Sequence, residues 1–77
     1  MTIKLLASAP TEIEILAKIH DYFNYIGCKL KIKNDGNYAI AYPINSARAG
    51  TEIENYRVSI KKGRYRFERL SGENVNG

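Results

Sequence analysis

Hydrophobic residues recur along this chain with two different periods, and the change falls at Gly27. Residues 11–26, TEIEILAKIHDYFNYI, fit a helix: Leu16, Ile19, Phe23 and Ile26 share one side, with Phe23 near the centre of the stripe. Ile15 and Tyr22 flank that side at one margin and Ile13 at the other, while Glu14, Lys18, Asp21 and Tyr25 take the opposite face. Thr11 with Glu14 three residues on matches a capping box, in which each side chain satisfies the other's backbone N–H. Gly27 suits the left-handed conformation that closes a helix.

Beyond Gly27 the period drops to two, as in half-buried strands. Cys28, Leu30 and Ile32 alternate with Lys29, Lys31 and Lys33; Tyr38, Ile40 and Tyr42 alternate with Ala39 and Ala41 and stop at Pro43. Asn34-Asp35-Gly36 stands between them. A two-residue loop there would put lysines among large apolar residues. A three-residue loop, Asn34 to Gly36, sets Ile32 against Tyr38, Leu30 against Ile40 and Cys28 against Tyr42, with Gly36 left-handed. Further along, Tyr56, Val58 and Ile60, then Tyr65 and Phe67, alternate about Lys62-Gly63. A two-residue loop pairs Ile60 with Tyr65 and Val58 with Phe67 inside, and Arg57 with Glu68 outside as an ion pair.

The remaining segments are less patterned. PINSARAG, residues 43–50, is a connector in which Ser46 can cap one turn. Residues 51–54 read either as that turn or as the start of the next strand. TIKLL, residues 2–6, is short for a strand, and Ser8 to Pro10 interrupts it. The expected fold is α+β: one N-terminal amphipathic helix on a mainly antiparallel sheet of four strands built from two hairpins, or five strands with residues 2–6. Residues 1–70 form one domain, and SGENVNG, residues 71–77, a polar, flexible tail.

Length and composition narrow the function. Seventy-seven residues support one core and bury only about 60% of the surface of the unfolded chain, so a dimer is physically reasonable. A single cysteine excludes an internal disulfide, fits a reducing cytoplasmic setting, and with one histidine leaves no zinc site of the usual ligands. No apolar run approaches the roughly 20 residues of a membrane span. Neither a metal nor a cofactor is expected.

Catalysis is not expected either. His20, at the edge of the helix's apolar face, reads as a hydrogen-bonded core-edge residue, and Cys28 as a small hydrophobe at the start of a strand. No phosphate loop or dinucleotide fingerprint is present, and Glu12, Glu14 and Asp21 read as helix-cap and solvent-face acids.

Charge supplies the stronger signal. Residues 1–56 hold six basic and six acidic side chains, whereas residues 57–69 hold Arg57, Lys61, Lys62, Arg64, Arg66 and Arg69 against Glu68 alone. With Glu73, the formal net charge is +4, and it resides in one hairpin. If both hairpins share a sheet beneath the helix, the outer face carries Lys29, Lys31, Lys33, Arg57, Ser59, Lys61, Arg64 and Arg66 over a floor of Ala39 and Ala41. Such a face attracts phosphates. Cations on an exposed sheet are also the commonest device for solubility, but a merely soluble surface intersperses both signs. Tyr38, Tyr42, Tyr65 and Phe67 alternate onto the core side, so base stacking of the RRM kind is not expected.

The expected function is therefore binding without catalysis. Lys29, Lys31, Lys33, Arg57, Lys61, Lys62, Arg64 and Arg66 would contact nucleic acid, a complex that handles it, or another acidic surface. The alternative is a small protein-binding regulator or inhibitor of the kind phages and mobile elements encode. It would dock by a sheet edge or by the helix back around Lys18, Asp21 and Tyr25.

Overall fold

One helix, α1 (Glu12–Phe23), lies on an antiparallel sheet of five strands: β1 (Thr2–Ala9), β2 (Lys29–Ile32), β3 (Tyr38–Ala41), β4 (Glu52–Lys61) and β5 (Arg64–Ser71). Their order across the sheet is β1-β5-β4-β3-β2. The computed structural model describes residues 2–24, 27–33 and 36–71. The α+β expectation holds, with the fifth strand present. Ser71, assigned to the tail by sequence, is paired with Thr2, and residues 72–77 lie outside the described residues.

Thr11 is the N-cap of α1, in extended conformation at φ −130°. Its Oγ1 accepts from the Glu14 N–H at 3.2 Å, and its hydroxyl donates to Glu14 Oε1 at 2.9 Å. The second bond of the cap thus runs between side chains. The helix stops sooner than its apolar pattern suggested. Asn24 turns left-handed at φ 57° and returns its N–H to the carbonyls of Asp21 and His20, a conformation asparagine tolerates better than most residues. Tyr25 and Ile26, expected in the last turn, lie outside the described residues. Gly27 is still required where it stands: φ is +97°, and a Cβ would come within 3.2 Å of Pro43 Cβ.

Both hairpin registers follow from matching faces. β2 and β3 pair Leu30 with Ile40 and Ile32 with Tyr38, and Gly36 is left-handed at φ +84°. β4 and β5 pair Val58 with Phe67, Ile60 with Tyr65 and Arg57 with Glu68 around Lys62 (φ 52°) and Gly63 (φ 76°). Two irregularities were hidden. In β1 the register shifts between Leu5 and Ala7, so Leu5 faces Glu68 whereas Ala7 faces Phe67. In β4, Ala39 pairs with Arg57 but Ala41 with Glu52, the slack being taken up around Asn55 at φ 71°.

The core is built from Ile15, Ile19, Ile40, Val58 and Phe67, all fully buried, with Ala9, Cys28 and Ile53. Burying side chains of this size contributes about 1.5–3 kcal/mol each. Helix α1 packs on β1 and β5, so its deepest residues are Ile15 and Ile19. Phe23, expected at the centre, sits at the margin in an aromatic group with Tyr22, Tyr56 and Phe67; its ring lies 5.0 Å from that of Tyr56. Ile13 is exposed, and two residues expected inside are not buried: Ile32 is 78% exposed and Ile60 41%. Ile32 ends the edge strand farthest from α1, and Ile60 lies next to the β4–β5 turn, so the helix covers neither.

Candidate interface on the basic sheet face

The pleat places Lys29 and Lys31 of β2, Ala39 and Ala41 of β3, Arg57, Ser59 and Lys61 of β4, and Arg64, Arg66 and Glu68 of β5 on the face away from α1. This is the expected basic face, but its cations are not equivalent. At its centre Glu68 is only 2% exposed, held by Arg57 Nε at 3.0 Å and by Arg66 Nε at 3.1 Å. Both guanidinium groups lie over the sheet and are themselves largely covered. Burial pushes the Glu68 carboxyl toward neutrality; the two arginine hydrogen bonds outweigh it and hold the pKa below the ordinary carboxylate value. The Ser59 hydroxyl, buried beside them, makes no hydrogen bond of standard geometry but adds to the same lowering.

Around this centre, where two guanidinium groups share one carboxylate, the remaining cations fall into two groups. Lys29 and Lys31 lie on β2, and Lys61, Lys62 and Arg64 at the β4–β5 turn. Among the described residues none of the four lysines makes an ion pair, while Arg64 Nε donates to Ser8 Oγ on β1 at 3.1 Å. Lys33 is committed to Glu52, at 2.9 Å, and draws that exposed carboxyl's pKa down.

Three features were missed by the sequence reading. Because β1 continues the face, Ile3 and Leu5, 44% and 45% exposed, join Leu70 as an apolar strip beside Glu68. A cleft of about 290 Å³ opens at the β4 irregularity, with Ala39, Arg57, Asn55, Leu70 and the Lys33–Glu52 pair in its walls. On the helix side, Lys18, Asp21 and Tyr22 with Leu6, Ala7 and Phe67 line a cavity of about 240 Å³ along β1. The second holds two of the three residues expected for a protein contact; the third, Tyr25, lies outside the described residues. The one signal that could have revealed the strip is the apolar content of Thr2–Leu6.

The residues with catalytic potential are otherwise engaged. His20 Nε2 donates to the Cys28 carbonyl at 3.0 Å, tying α1 to the start of β2. Cys28 is buried, and burial raises its thiol pKa, away from the reactive thiolate. Among the described residues no group of three or more His, Cys, Asp or Glu could hold a metal ion, and no helix is long and apolar enough to cross a membrane. Comparison of the chain with protein-family models, with curated proteins and with solved structures finds no match.

Proposed function

We propose that the protein is a non-catalytic binding module whose basic sheet face engages an acidic macromolecule, with nucleic acid the leading partner. The observation that carries this reading is the segregation of charge. On that face the internal acid, Glu68, is buried and neutralised by two arginines. Among the described residues Lys29, Lys31, Lys61 and Lys62 make no ion pair and Arg64 is held only by the neutral Ser8 hydroxyl, so that their charge is available to phosphates. Contacts of this type position a duplex without reading its bases, and the inward-facing tyrosines offer no stacking platform.

A direct test is titration of a labelled duplex of about 30 base pairs at low and at physiological ionic strength. Binding with a Kd of roughly micromolar or weaker, falling log-linearly with salt, is expected. Charge reversal at Lys61, Lys62 and Arg64 together should abolish it. Arg66 is left intact in that variant because it holds Glu68, and losing it would confuse binding with folding. Absence of binding at low salt overturns the nucleic-acid reading.

The second reading is a small protein-binding regulator, favoured by the cavity beside Lys18, Asp21 and Tyr22. An interface of that kind, largely apolar, would depend on salt only weakly.

A further inference from the structure

We propose that β1 is a self-association strand: two copies join antiparallel along their β1 edges into one continuous sheet, with the two α1 helices side by side on it. The outer edge of β1 is unpaired among the described residues. It differs in kind from the other free edge. β2 carries Lys29 and Lys31, like charges that repel a second copy and blunt the edge, whereas Lys33 just beyond it is paired with Glu52. Over its eight residues β1 carries only Lys4. An acidic strand would choose the β2 edge. The β1 edge suits a neutral, apolar strand, and β1 is itself such a strand.

Three further observations fit a second copy. A two-fold axis perpendicular to the sheet, passing near Leu5, sets Leu5 against its own counterpart and keeps the two Lys4 side chains out of register. The exposed Ile3 and Leu5 and the neighbouring Leu70 then form one apolar patch across the seam. The helix positions agree. Because α1 rides over β1 and β5, its axis stands about one strand spacing from the seam, so two copies bring their helices about 10 Å apart, the distance at which helices pack. The side of α1 facing the seam carries Lys18 and Asp21, beside Leu6 and Ala7 of β1, a pair that is self-complementary when two helices meet antiparallel. The cavity of Leu6, Ala7 and Tyr22 lies between them. Both basic faces end on the same side of the joined sheet. The proposal is independent of what that face binds.

Sedimentation velocity and light scattering on the 77-residue chain at rising concentration provide the test. The expected result is a mass that rises from one chain to two. Leu5→Lys should return it to one chain with an unchanged circular-dichroism spectrum, while Ile32→Lys on the β2 edge should leave the dimer intact. Should Leu5→Lys fail to fold, Lys18→Asp should weaken the dimer and its combination with Asp21→Lys restore it. In a Cys28→Ser background, Leu5→Cys should form an intermolecular disulfide on mild oxidation. A single-chain mass at the highest concentration overturns the proposal. A dimer broken by Ile32→Lys and indifferent to Leu5→Lys does so too, by moving the seam to the other edge.

Discussion

The two hairpins, β2–β3 and β4–β5, are written in the same alternating code and have different fates. In β4–β5 the paired Val58 and Phe67 are fully buried, and on the outer face Glu68 is sealed beneath two arginines. In β2–β3, Ile40 is equally buried, but Leu30 is only partly covered and Ile32 stands in solvent. The difference lies in what is stacked above. Helix α1 packs on β1 and β5, so the burial it confers fades toward β2. Alternation therefore determines register and facing, whereas depth depends on where the other layer stops.

Four substitutions sharpen the contrast, each read by chemical denaturation. Phe67→Ala, in the central hairpin, should cost about 3–5 kcal/mol, because a fully buried ring leaves a cavity between helix and sheet. A loss under about 1 kcal/mol would place the core elsewhere. Glu68→Gln should cost about 2 kcal/mol at neutral pH: less than for a fully buried pair, since Arg57 and Arg66 can each turn partly toward water. Its pH dependence has a definite sign. The folded-state pKa is depressed, so the stabilisation is present above the carboxylate's unfolded pKa and disappears as pH falls through the folded value. The gap between wild type and Glu68→Gln should close on acidification; a gap constant down to acid pH would contradict the ion-pair account.

The third substitution concerns the turn. Lys62 holds φ 52° ahead of Gly63 at φ 76°, an arrangement that asparagine tolerates better than lysine. Lys62→Asn should stabilise by about 0.5 kcal/mol, and a destabilisation would mean that the lysine has contacts of its own. In the outer hairpin, Ile32→Ala should change stability by no more than about 0.5 kcal/mol. A cost as large as that of Phe67→Ala would erase the distinction between the hairpins.

The parts of the fold legible in the sequence are those fixed by local face-matching. Both hairpin registers, the Thr11–Glu14 cap and the outward cations belong to this class. The hidden parts arise where one residue changes the phase. The irregularity at Leu5–Ala7 moves β1 from presenting Ile3 and Leu5 on one face to presenting Ala7 and Ala9 on the other, so no single alternation runs its length. Asn55 does the same to β4, and Asn24 ends α1 by a conformation usually assigned to glycine. For the candidate interface, the side of each cation was readable and its availability was not. Arg57 opposite Glu68 is a cross-strand pair visible from the register. Arg66 reaches Glu68 along its own strand, two residues away on the same face, a contact that depends on the arginine's rotamer and not on the strand register.

The pairing of Thr2 with Ser71 bears on the order in which the molecule assembles. Strands β2 to β5 form a meander in which each partner follows closely in sequence, whereas β1 must find β5 across almost the entire chain. Closing so long a loop costs more conformational entropy than closing either hairpin turn. The expected kinetic sequence is a meander formed early and β1 zipped on afterwards, with pulse-labelled amides of β1 the last to gain protection. Simultaneous protection of all five strands would refute that order. Until β1 arrives, the edge of β5 carrying Tyr65 and Phe67 stands open, so refolding at high concentration should divert part of the protein into strand exchange between chains.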